Sequence, residues 1–288
     1  MLTSKWKSAW RILVNSFNLF IDFNGLKLAA ALSYYTVFSI APLLIVIISV
    51  VGIFYGQQAV EGRVYHQISG LVGSDAALQV QDIISNIHKS NHGKAGGIIG
   101  AIILIIGASG IFSEIQGSIN YLWSIPPPKK RGFLMAVIRK LISFSLLIGV
   151  SFLLLVSLLV NAVVDALSDR IKHFFNGSMI SLFNVFNVLF ILIIVSFLFT
   201  LIFKILPNAI IRWKDVVVGA TITAFLFLIG KFAIGLYLGN SRIGITYGTT
   251  ASIVILMLWV YYSSIILYFG ATWTYFYAAS RGNPVRPG

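Results

Sequence analysis

The sequence contains no cysteine and few charged residues. Without cysteine, the chain cannot form disulfides, thiolate nucleophiles or cysteine-ligated metal sites. Charged residues make up only 10% of the 288 residues, whereas 58% are hydrophobic. Because a water-soluble fold cannot bury so large an apolar fraction, this composition indicates a membrane protein.

The sequence also lacks the common catalytic motifs. It has no Walker A loop, no G-x-S-x-G nucleophile elbow and no G-x-G-x-x-G dinucleotide motif. His88 and His92 are spaced for one helical face, but no third ligand accompanies them. We therefore predict a protein that is not an enzyme and that carries neither a metal nor a cofactor.

Six long apolar runs occupy most of the chain. Each is close to the roughly 20 residues that a membrane-spanning helix needs. The runs are Leu28–Phe54, Gly96–Phe112, Leu141–Leu159, Leu182–Phe203, Val216–Leu238 and Ser252–Tyr275. The predicted fold class is therefore all-α, a polytopic membrane protein with six transmembrane helices.

The basic residues alternate between the two sides of these predicted spans. Fourteen of the 21 Lys and Arg fall in the N-terminal segment, the second and fourth loops and the C-terminal tail, and six fall in the other loops. Basic loops are retained in the cytoplasm during insertion, so both termini are predicted to be cytoplasmic. The excess positive charge would then face anionic inner-leaflet lipids.

Three segments follow from this topology. Residues 1–27 are predicted to form a cytoplasmic interfacial amphipathic helix, because large apolar residues recur there at helical spacing: Trp6, Trp10, Leu13, Phe17 and Phe20. Residues 28–276 form the six-helix transmembrane domain, including a helical outer loop at about 55–95. Residues 277–288 form a cytoplasmic tail. The pair Asn24-Gly25 predicts the turn into the bilayer.

Polar residues inside the apolar runs are the candidates for function, since lipid offers them no hydrogen bonds. Tyr35, Ser39 and Pro42 share one face of the first predicted span, and Pro42 should kink it. That face fits either a substrate path or tight packing between helices. Glu114 fits either a structural pair or a site for coupling protons or cations. Lys231 fits either snorkelling to the outer interface or contact with the anionic headgroup of a lipid.

Several stretches together resemble the YihY/BrkB family of bacterial membrane proteins. They are AAALSYYTVFSIAP at 29–42, SINYLW at 118–123, LPN at 206–208, WKD at 213–215, Gly219-Ala220, Gly230-Lys231 with Tyr237, Tyr247-Gly248, Leu258-Trp259 and Gly270-Ala271. The resemblance covers nearly the whole chain and implies a six-span helical fold in the bacterial inner membrane. One departure is Thr272, where many members carry an acidic residue, so no role of that carboxylate transfers to this chain.

Names in the family mix a tRNA-processing ribonuclease with a serum-resistance virulence factor. Nuclease chemistry needs clustered acidic or histidine ligands, and the eight acids of this chain are scattered. The nearest approach to a cluster, Asp165, Asp169 and His173, falls in a loop predicted to lie outside the cell. We therefore expect no nucleic-acid partner.

The leading interpretation is transport or flipping of an envelope lipid or lipid-linked substrate. The alternatives are a non-catalytic scaffold for an envelope-assembly complex and a small-solute or ion channel. Membrane lipids are the expected partners, with a second copy or an envelope protein as further ones. The substrate-path candidates are Tyr34, Tyr35, Ser39, Pro42, Glu114, Asn120, Lys231, Tyr237 and Tyr247.

Overall fold

The computed structural model describes residues 2–39, 110–126, 177–240 and 251–288, and helices make up most of this part of the chain. Four of them are α1 (Leu2–Asp22), α4 (Gly177–Ile205), α5 (Trp213–Asn240) and α6 (Ala251–Ser280). Two more occupy residues 25–39 (α2) and 110–122 (α3). A short antiparallel pair joins β1 (Ala209–Ile210) to β2 (Arg286–Pro287).

Three of these helices are long and apolar enough to cross a membrane. The qualifying segments are Val188–Ile205 in α4, Trp213–Ile234 in α5 and Val254–Ser280 in α6. A helix rises about 1.5 Å per residue, so each segment can span most or all of a hydrocarbon core of roughly 30 Å. They coincide with the last three apolar runs of the sequence. The protein is therefore a multi-pass membrane protein. The predicted third span, most of the predicted first and second spans and the predicted outer loop lie outside the described residues.

The turn predicted at Asn24-Gly25 is present. Helix α1 ends at Asp22, and α2 begins at residue 25. Asn24 has a φ of 54°, a left-handed conformation that asparagine tolerates better than most residues. Its carbonyl then accepts the backbone N–H groups of Lys27 and Leu28, which starts α2.

The chain divides into two compact units. Unit 1 contains Met1–Phe23, Ile119–Leu228 and Phe269–Gly288, and unit 2 contains Asn24–Ser118 and Ile229–Tyr268. The basic N-terminal helix, the α4–α5 loop and the C-terminal segment all belong to unit 1. Sequence charge predicts that these same segments share one side of the membrane.

In unit 1, α5 and α6 approach closely through a reciprocal pair of glycines and threonines. Gly219 of α5 faces the side chain of Thr274 on α6, and Gly270 of α6 faces the side chain of Thr223 on α5. Each threonine hydroxyl donates to the glycine carbonyl four residues earlier on its own helix: Thr223 to Gly219 at 2.8 Å, and Thr274 to Gly270 at 2.7 Å. The contact thus leaves no hydroxyl unsatisfied. It also requires the two helices to run antiparallel.

The C-terminal end of α3 is anchored to α6 by a buried tryptophan. Trp123 is 2% exposed, and its Nε1–H donates to the carbonyl of Ala271 at 2.9 Å. Ser124, with a φ of 53°, ends the helix in a left-handed conformation. The N–H of Ile125 then bonds the carbonyl of Asn120, and that of Ser124 bonds Tyr121, which is a Schellman cap.

Helix α6 ends in the same way. Gly282 has a φ of 74°, its N–H bonds the carbonyl of Ala279, and the N–H of Asn283 bonds Ala278. The chain then returns to pair Arg286 with Ile210 and Pro287 with Ala209. The C-terminal segment is therefore fixed to the α4–α5 loop.

Helix α1 packs on the rest of unit 1 through one face only. Ile12, Ser16 and Phe20 are buried, and the ring of Phe20 contacts that of Phe269 with centroids 6.2 Å apart. The Ser16 hydroxyl donates to the carbonyl of Ile12 at 2.6 Å, so its burial leaves no unpaired group. A second face remains uncovered, the α1 exposed stripe, formed by Trp10, Leu13, Phe17 and Ile21.

The glycine–threonine contact predicts a steric effect of adding one methyl group. Gly219→Ala and Gly270→Ala would each place a Cβ 2.8 Å from the Cβ of the facing threonine, closer than packed carbons tolerate. We expect each variant to lose about 1–3 kcal/mol in free energy of unfolding, measured by denaturant titration in detergent. Gly117→Ala is the matched control, because no atom lies within 4 Å of its added Cβ. Equal stability of all three variants would contradict the close approach.

Candidate functional site

Seven of the nine predicted substrate-path residues lie in the part of the chain that the structure describes. Pro42 and Tyr247 lie outside it. Six of the seven belong to unit 2, namely Tyr34, Tyr35, Ser39, Glu114, Lys231 and Tyr237, and Asn120 belongs to unit 1.

The hydroxyl residues of α2 are satisfied within their own helix. Ser33 donates to the carbonyl of Ala30, Thr36 to that of Leu32 and Ser39 to that of Tyr35, at 2.8–2.9 Å. Ser33 and Ser39 are buried, so these bonds remove the cost of burying an unpaired hydroxyl. They need no substrate to explain them.

The aromatic residues of α2 point away from its buried serines. Tyr34 and Tyr35 are exposed, and the ring of Tyr34 contacts that of exposed Phe38 at a tilt of 47°, with centroids 4.6 Å apart. Tyr35 therefore does not share the buried environment of Ser39, although the two are four residues apart. This side of α2 is an amphipathic aromatic surface of the kind that faces lipid near a membrane interface.

Glu114 is partly buried on α3 and has a local partner. The hydroxyl of Ser118, one turn later, donates to its Oε1 at 3.1 Å. A third residue belongs with this pair: the buried hydroxyl of Tyr268 on α6 interacts with the hydroxyl of Ser118 and with the charge of Glu114. Sequence reasoning missed Tyr268 because no local pattern shows which residue of a distant helix faces Glu114.

Lys231 lies on α5 beside a close contact with α6. The preceding residue, Gly230, faces the ring of Tyr262, and a side chain at this position would collide with that ring. Lys231 itself is partly buried and lies inside the apolar segment Trp213–Ile234. Its surroundings along the helix are exposed and apolar: Ile229, Phe232, Leu236 and Tyr237. Lys231 is therefore a partly buried cation within an apolar spanning segment.

Asn120 has a structural role in unit 1. Its side-chain Oδ1 accepts the backbone N–H of Asn208 at 2.9 Å. Asn208 lies in the α4–α5 loop, and its own carbonyl accepts the N–H of Gly288. Asn120 thus helps to fix this loop between α3 and the C-terminal segment.

Two further polar residues near this loop were not predicted as site residues. Lys204 donates from Nζ to the carbonyl of Ile211 and lies over the ring of Trp213, with Nζ 5.4 Å from its centroid. Asp215 is buried in the first turn of α5, where the helix dipole favours a carboxylate, and it accepts a hydrogen bond from Asn283 at 3.3 Å. Both hold the ends of helices together. In the described residues, no group of three or more His, Cys, Asp or Glu could hold a metal ion.

No solved structure matches this chain. Among curated proteins, it is similar to a UPF0761 membrane protein of Stenotrophomonas maltophilia strain R551-3, with 28% identity over 92% of this chain and 60% of the relative. It is also similar to a UPF0761 membrane protein of Vibrio campbellii, with 26% identity over 84% of this chain and 74% of the relative. A UPF0761 membrane protein of Haemophilus influenzae is 25% identical over 85% of this chain and 87% of the relative. The chain thus spans about 60% of the length of the Stenotrophomonas relative.

The family comparison agrees with these relatives and with the motifs read from the sequence. The profile of a family described as virulence factor BrkB matches residues 17–287, which is nearly the whole chain. With its membrane-spanning helices and its UPF0761 relatives, this protein belongs to the YihY/BrkB family of integral membrane proteins.

Proposed function

We propose that this protein moves an anionic envelope lipid, or a lipid-linked substrate, within or across the bacterial inner membrane without chemical conversion. The observation that carries the proposal is Lys231, a partly buried cation inside the apolar membrane-spanning segment Trp213–Ile234. Charged side chains inside a membrane are costly and usually face a partner or a path. An anionic headgroup is a partner that lipid itself supplies.

The position of Lys231 fits contact with a headgroup. It is about 27 Å along α5 from Trp213, given a rise of roughly 1.5 Å per residue, so it lies near the end of the span that is opposite Trp213. A lysine there can extend its ammonium toward lipid phosphates while its carbon stem remains in the apolar layer.

The expected orientation also supports this function. Loop charge predicts a cytoplasmic location for the basic α1, the basic α4–α5 loop and the C-terminal segment. Lys231 would then lie toward the outer leaflet. The proposed movement requires no chemical step, and the sequence carries no recognisable catalytic motif.

One observation favours a second function, that of a non-catalytic membrane scaffold. The α1 exposed stripe joins four large apolar residues on a helix that also carries exposed Lys7 and Arg11. Such a surface suits either the lipid interface or the groove of a partner protein. In the first case lipid contacts Trp10, and in the second case a partner protein contacts it.

The lipid-movement proposal is tested by replacing Lys231 in purified protein reconstituted with fluorescent anionic phospholipid. We expect the wild-type protein to move the lipid between leaflets and Lys231→Met to reduce the rate about tenfold or more, because the charge is lost while the chain length remains. Lys231→Arg keeps the charge and should retain movement. The readout is dithionite quenching of the outer-leaflet label.

Lys214→Met is the matched control, since Lys214 is an exposed lysine on the same helix, far from Lys231. It should behave as the wild type. Absence of lipid movement by folded wild-type protein, or equal rates for Lys231→Met and the wild type, would overturn the proposal and favour the scaffold.

Asn120 provides a test of which polar residues are structural. Asn120→Ala removes the acceptor of the Asn208 N–H group, so we expect a loss of about 1–3 kcal/mol in stability. Lipid movement per folded molecule should be unchanged. Thermal unfolding followed by tryptophan fluorescence measures the first effect, with Asn18→Ala on exposed α1 as the control. Loss of movement without loss of stability would instead return Asn120 to the substrate path.

The two uses of α1 are separated by the environment of Trp10. If the stripe lies in the lipid interface, phospholipids brominated near the headgroup will quench Trp10, and the quenchable fluorescence will fall in Trp10→Phe. Trp123→Phe, which removes a buried indole, should change that quenchable fraction less. A Trp10 that lipid does not quench would favour a protein partner on this stripe.

A further inference from the structure

We propose that Arg212, Arg281 and Arg286 form a binding site for an anionic phospholipid whose headgroup carries two phosphates. All three arginines belong to unit 1 and are exposed. Arg212 directly precedes α5, Arg281 directly follows α6, and Arg286 lies in β2. The proposal does not depend on lipid movement, because a phospholipid held here is a ligand of the protein whether or not any lipid crosses the membrane.

The contact between α5 and α6 sets the positions of Arg212 and Arg281. Gly219 on α5 faces Thr274 on α6, and the two helices run antiparallel. Arg212 lies seven residues before Gly219, and Arg281 lies seven residues after Thr274. Seven residues are close to two helical turns, so each arginine is on the side of its helix that faces the other helix. The Cα atoms of the two arginines are therefore level with each other and about one interaxial distance apart, which is roughly 8–10 Å for packed helices.

Backbone hydrogen bonds keep both arginines in this geometry. The carbonyl of Arg212 accepts the N–H of Val216, and the N–H of Arg281 donates to the carbonyl of Tyr277, so each arginine continues the pattern of its helix. The guanidinium carbon of Arg281 also lies over the ring of Tyr277, 6.0 Å from its centroid. A cation–π contact orients the guanidinium but uses none of its five N–H donors, which can then bond an anion.

The strand pair places Arg286 beside these two residues. Arg286 pairs with Ile210 in the antiparallel register, which sets their Cα atoms roughly 4.5–5.5 Å apart. Arg212 follows Ile210 by two residues, which is at most about 7 Å of extended chain. The Cα atoms of Arg286 and Arg212 are therefore within roughly 13 Å of each other. Three long arginine side chains thus share one end of the α5–α6 pair.

The charge balance at this end favours an anion with more than one negative charge. Asp215 is the single acidic residue of the sequence after Asp169. It is buried and accepts a hydrogen bond from the side chain of Asn283. Three guanidinium groups against this one carboxylate leave an excess of two positive charges, and nearby Lys204 and Lys214 add to it. Two phosphodiesters carry two negative charges, and their oxygens match the bidentate fork of arginine.

The depth of the site indicates that lipid supplies these phosphates. The apolar spanning segments begin at Trp213 and end at Ser280, so Arg212 and Arg281 are the first residues outside them. Lipid phosphates lie at this boundary, just beyond the hydrocarbon core. Trp213 is exposed, and tryptophan is enriched at the same depth. A phospholipid therefore reaches the arginines without leaving the bilayer.

The experiment measures lipid binding by the purified full chain in a neutral detergent. Cardiolipin supplies two linked phosphates, phosphatidylglycerol supplies one, and inorganic pyrophosphate supplies two without acyl chains. Native mass spectrometry gives the Kd of the first bound molecule, and thermal unfolding gives its effect on the midpoint. Arg212→Gln, Arg281→Gln and Arg286→Gln each remove one guanidinium at an exposed position, so these variants should fold.

Two lysine variants serve as controls. Lys214→Gln removes a charge from the first turn of α5, but Lys214 is two residues from Arg212 and hence about 200° around the helix. It therefore tests whether position or charge alone matters. Lys231→Met removes the lysine near the other end of α5, so normal cardiolipin binding by this variant separates the site from the proposed movement of lipid.

We expect the wild type to bind cardiolipin about tenfold or more tightly than phosphatidylglycerol and to unfold at a higher temperature with cardiolipin bound. Arg212→Gln and Arg281→Gln should each weaken cardiolipin binding about tenfold, because each loses a charge-assisted bidentate contact. Arg286→Gln should act in the same direction. Lys214→Gln and Lys231→Met should change the Kd by less than about threefold, since salt screens charges that do not touch the headgroup.

Three results would overturn the proposal. If Lys214→Gln weakens binding as much as Arg212→Gln, general attraction to positive charge explains the binding and there is no site. If phosphatidylglycerol binds as tightly as cardiolipin, the arginines do not recognise a headgroup with two phosphates. If pyrophosphate binds as tightly as cardiolipin, the ligand is a soluble anion and not a lipid.

Discussion

In unit 1, the approach of α5 to α6 depends on two glycines that each receive a threonine from the opposite helix. Apolar side chains gain little from meeting one another in lipid, so close backbone approach and dispersion contacts provide most of the attraction between spans. Gly219 and Gly270 allow that approach, and Thr223 and Thr274 fill the space without an unpaired hydroxyl. Two other contacts involve residues close to this pair on α5 and α6. Trp123 bonds the carbonyl of Ala271, the residue after Gly270, and Asp215 lies one turn before Gly219. The anchoring of α3 and of the C-terminal segment therefore rests on the spacing of α5 and α6.

Hydroxyl residues within these helices follow one rule. Most donate to a carbonyl three or four residues earlier, as Ser39, Thr200, Ser263 and Ser264 do. A span can thus be rich in serine and threonine without a polar channel. The informative residues are those whose polar groups have no hydrogen-bond acceptor within their own helix. In the part of the chain that the structure describes, the buried side-chain oxygens of Ser196 and Tyr268 make no hydrogen bond of normal geometry.

Hydropathy and charge predicted much of the described fold. The last three spans, the turn at Asn24 and the helix at the N-terminus are present, because each depends on local sequence and on the length of an apolar run. The faces of α1 show where local sequence stops being sufficient. Phe20 fits the predicted apolar periodicity, yet it is 4% exposed and packs on Phe269, whereas Ile21 is exposed. Periodicity identifies apolar positions but cannot say whether protein or lipid covers them. For the same reason, sequence patterns identified Glu114 and Lys231 as candidate site residues but not Tyr268 or Tyr262. Tyr268 comes near Glu114, and Tyr262 near the residue before Lys231, only in the folded chain.

The contact between Gly230 and Tyr262 has a consequence for the entropy of ligand binding. Because the ring of Tyr262 rests against the α5 backbone, the helix cannot turn about its axis at this point without a collision. The Cα of Lys231 is then a fixed pivot, and only the four-carbon side chain must become ordered when an anion binds. Ordering a lysine side chain opposes binding by up to about 2 kcal/mol, while the cost of ordering the backbone has already been met during folding. In the proposed contact with an anionic headgroup, a lysine held in this way would lose less freedom than one on a mobile loop.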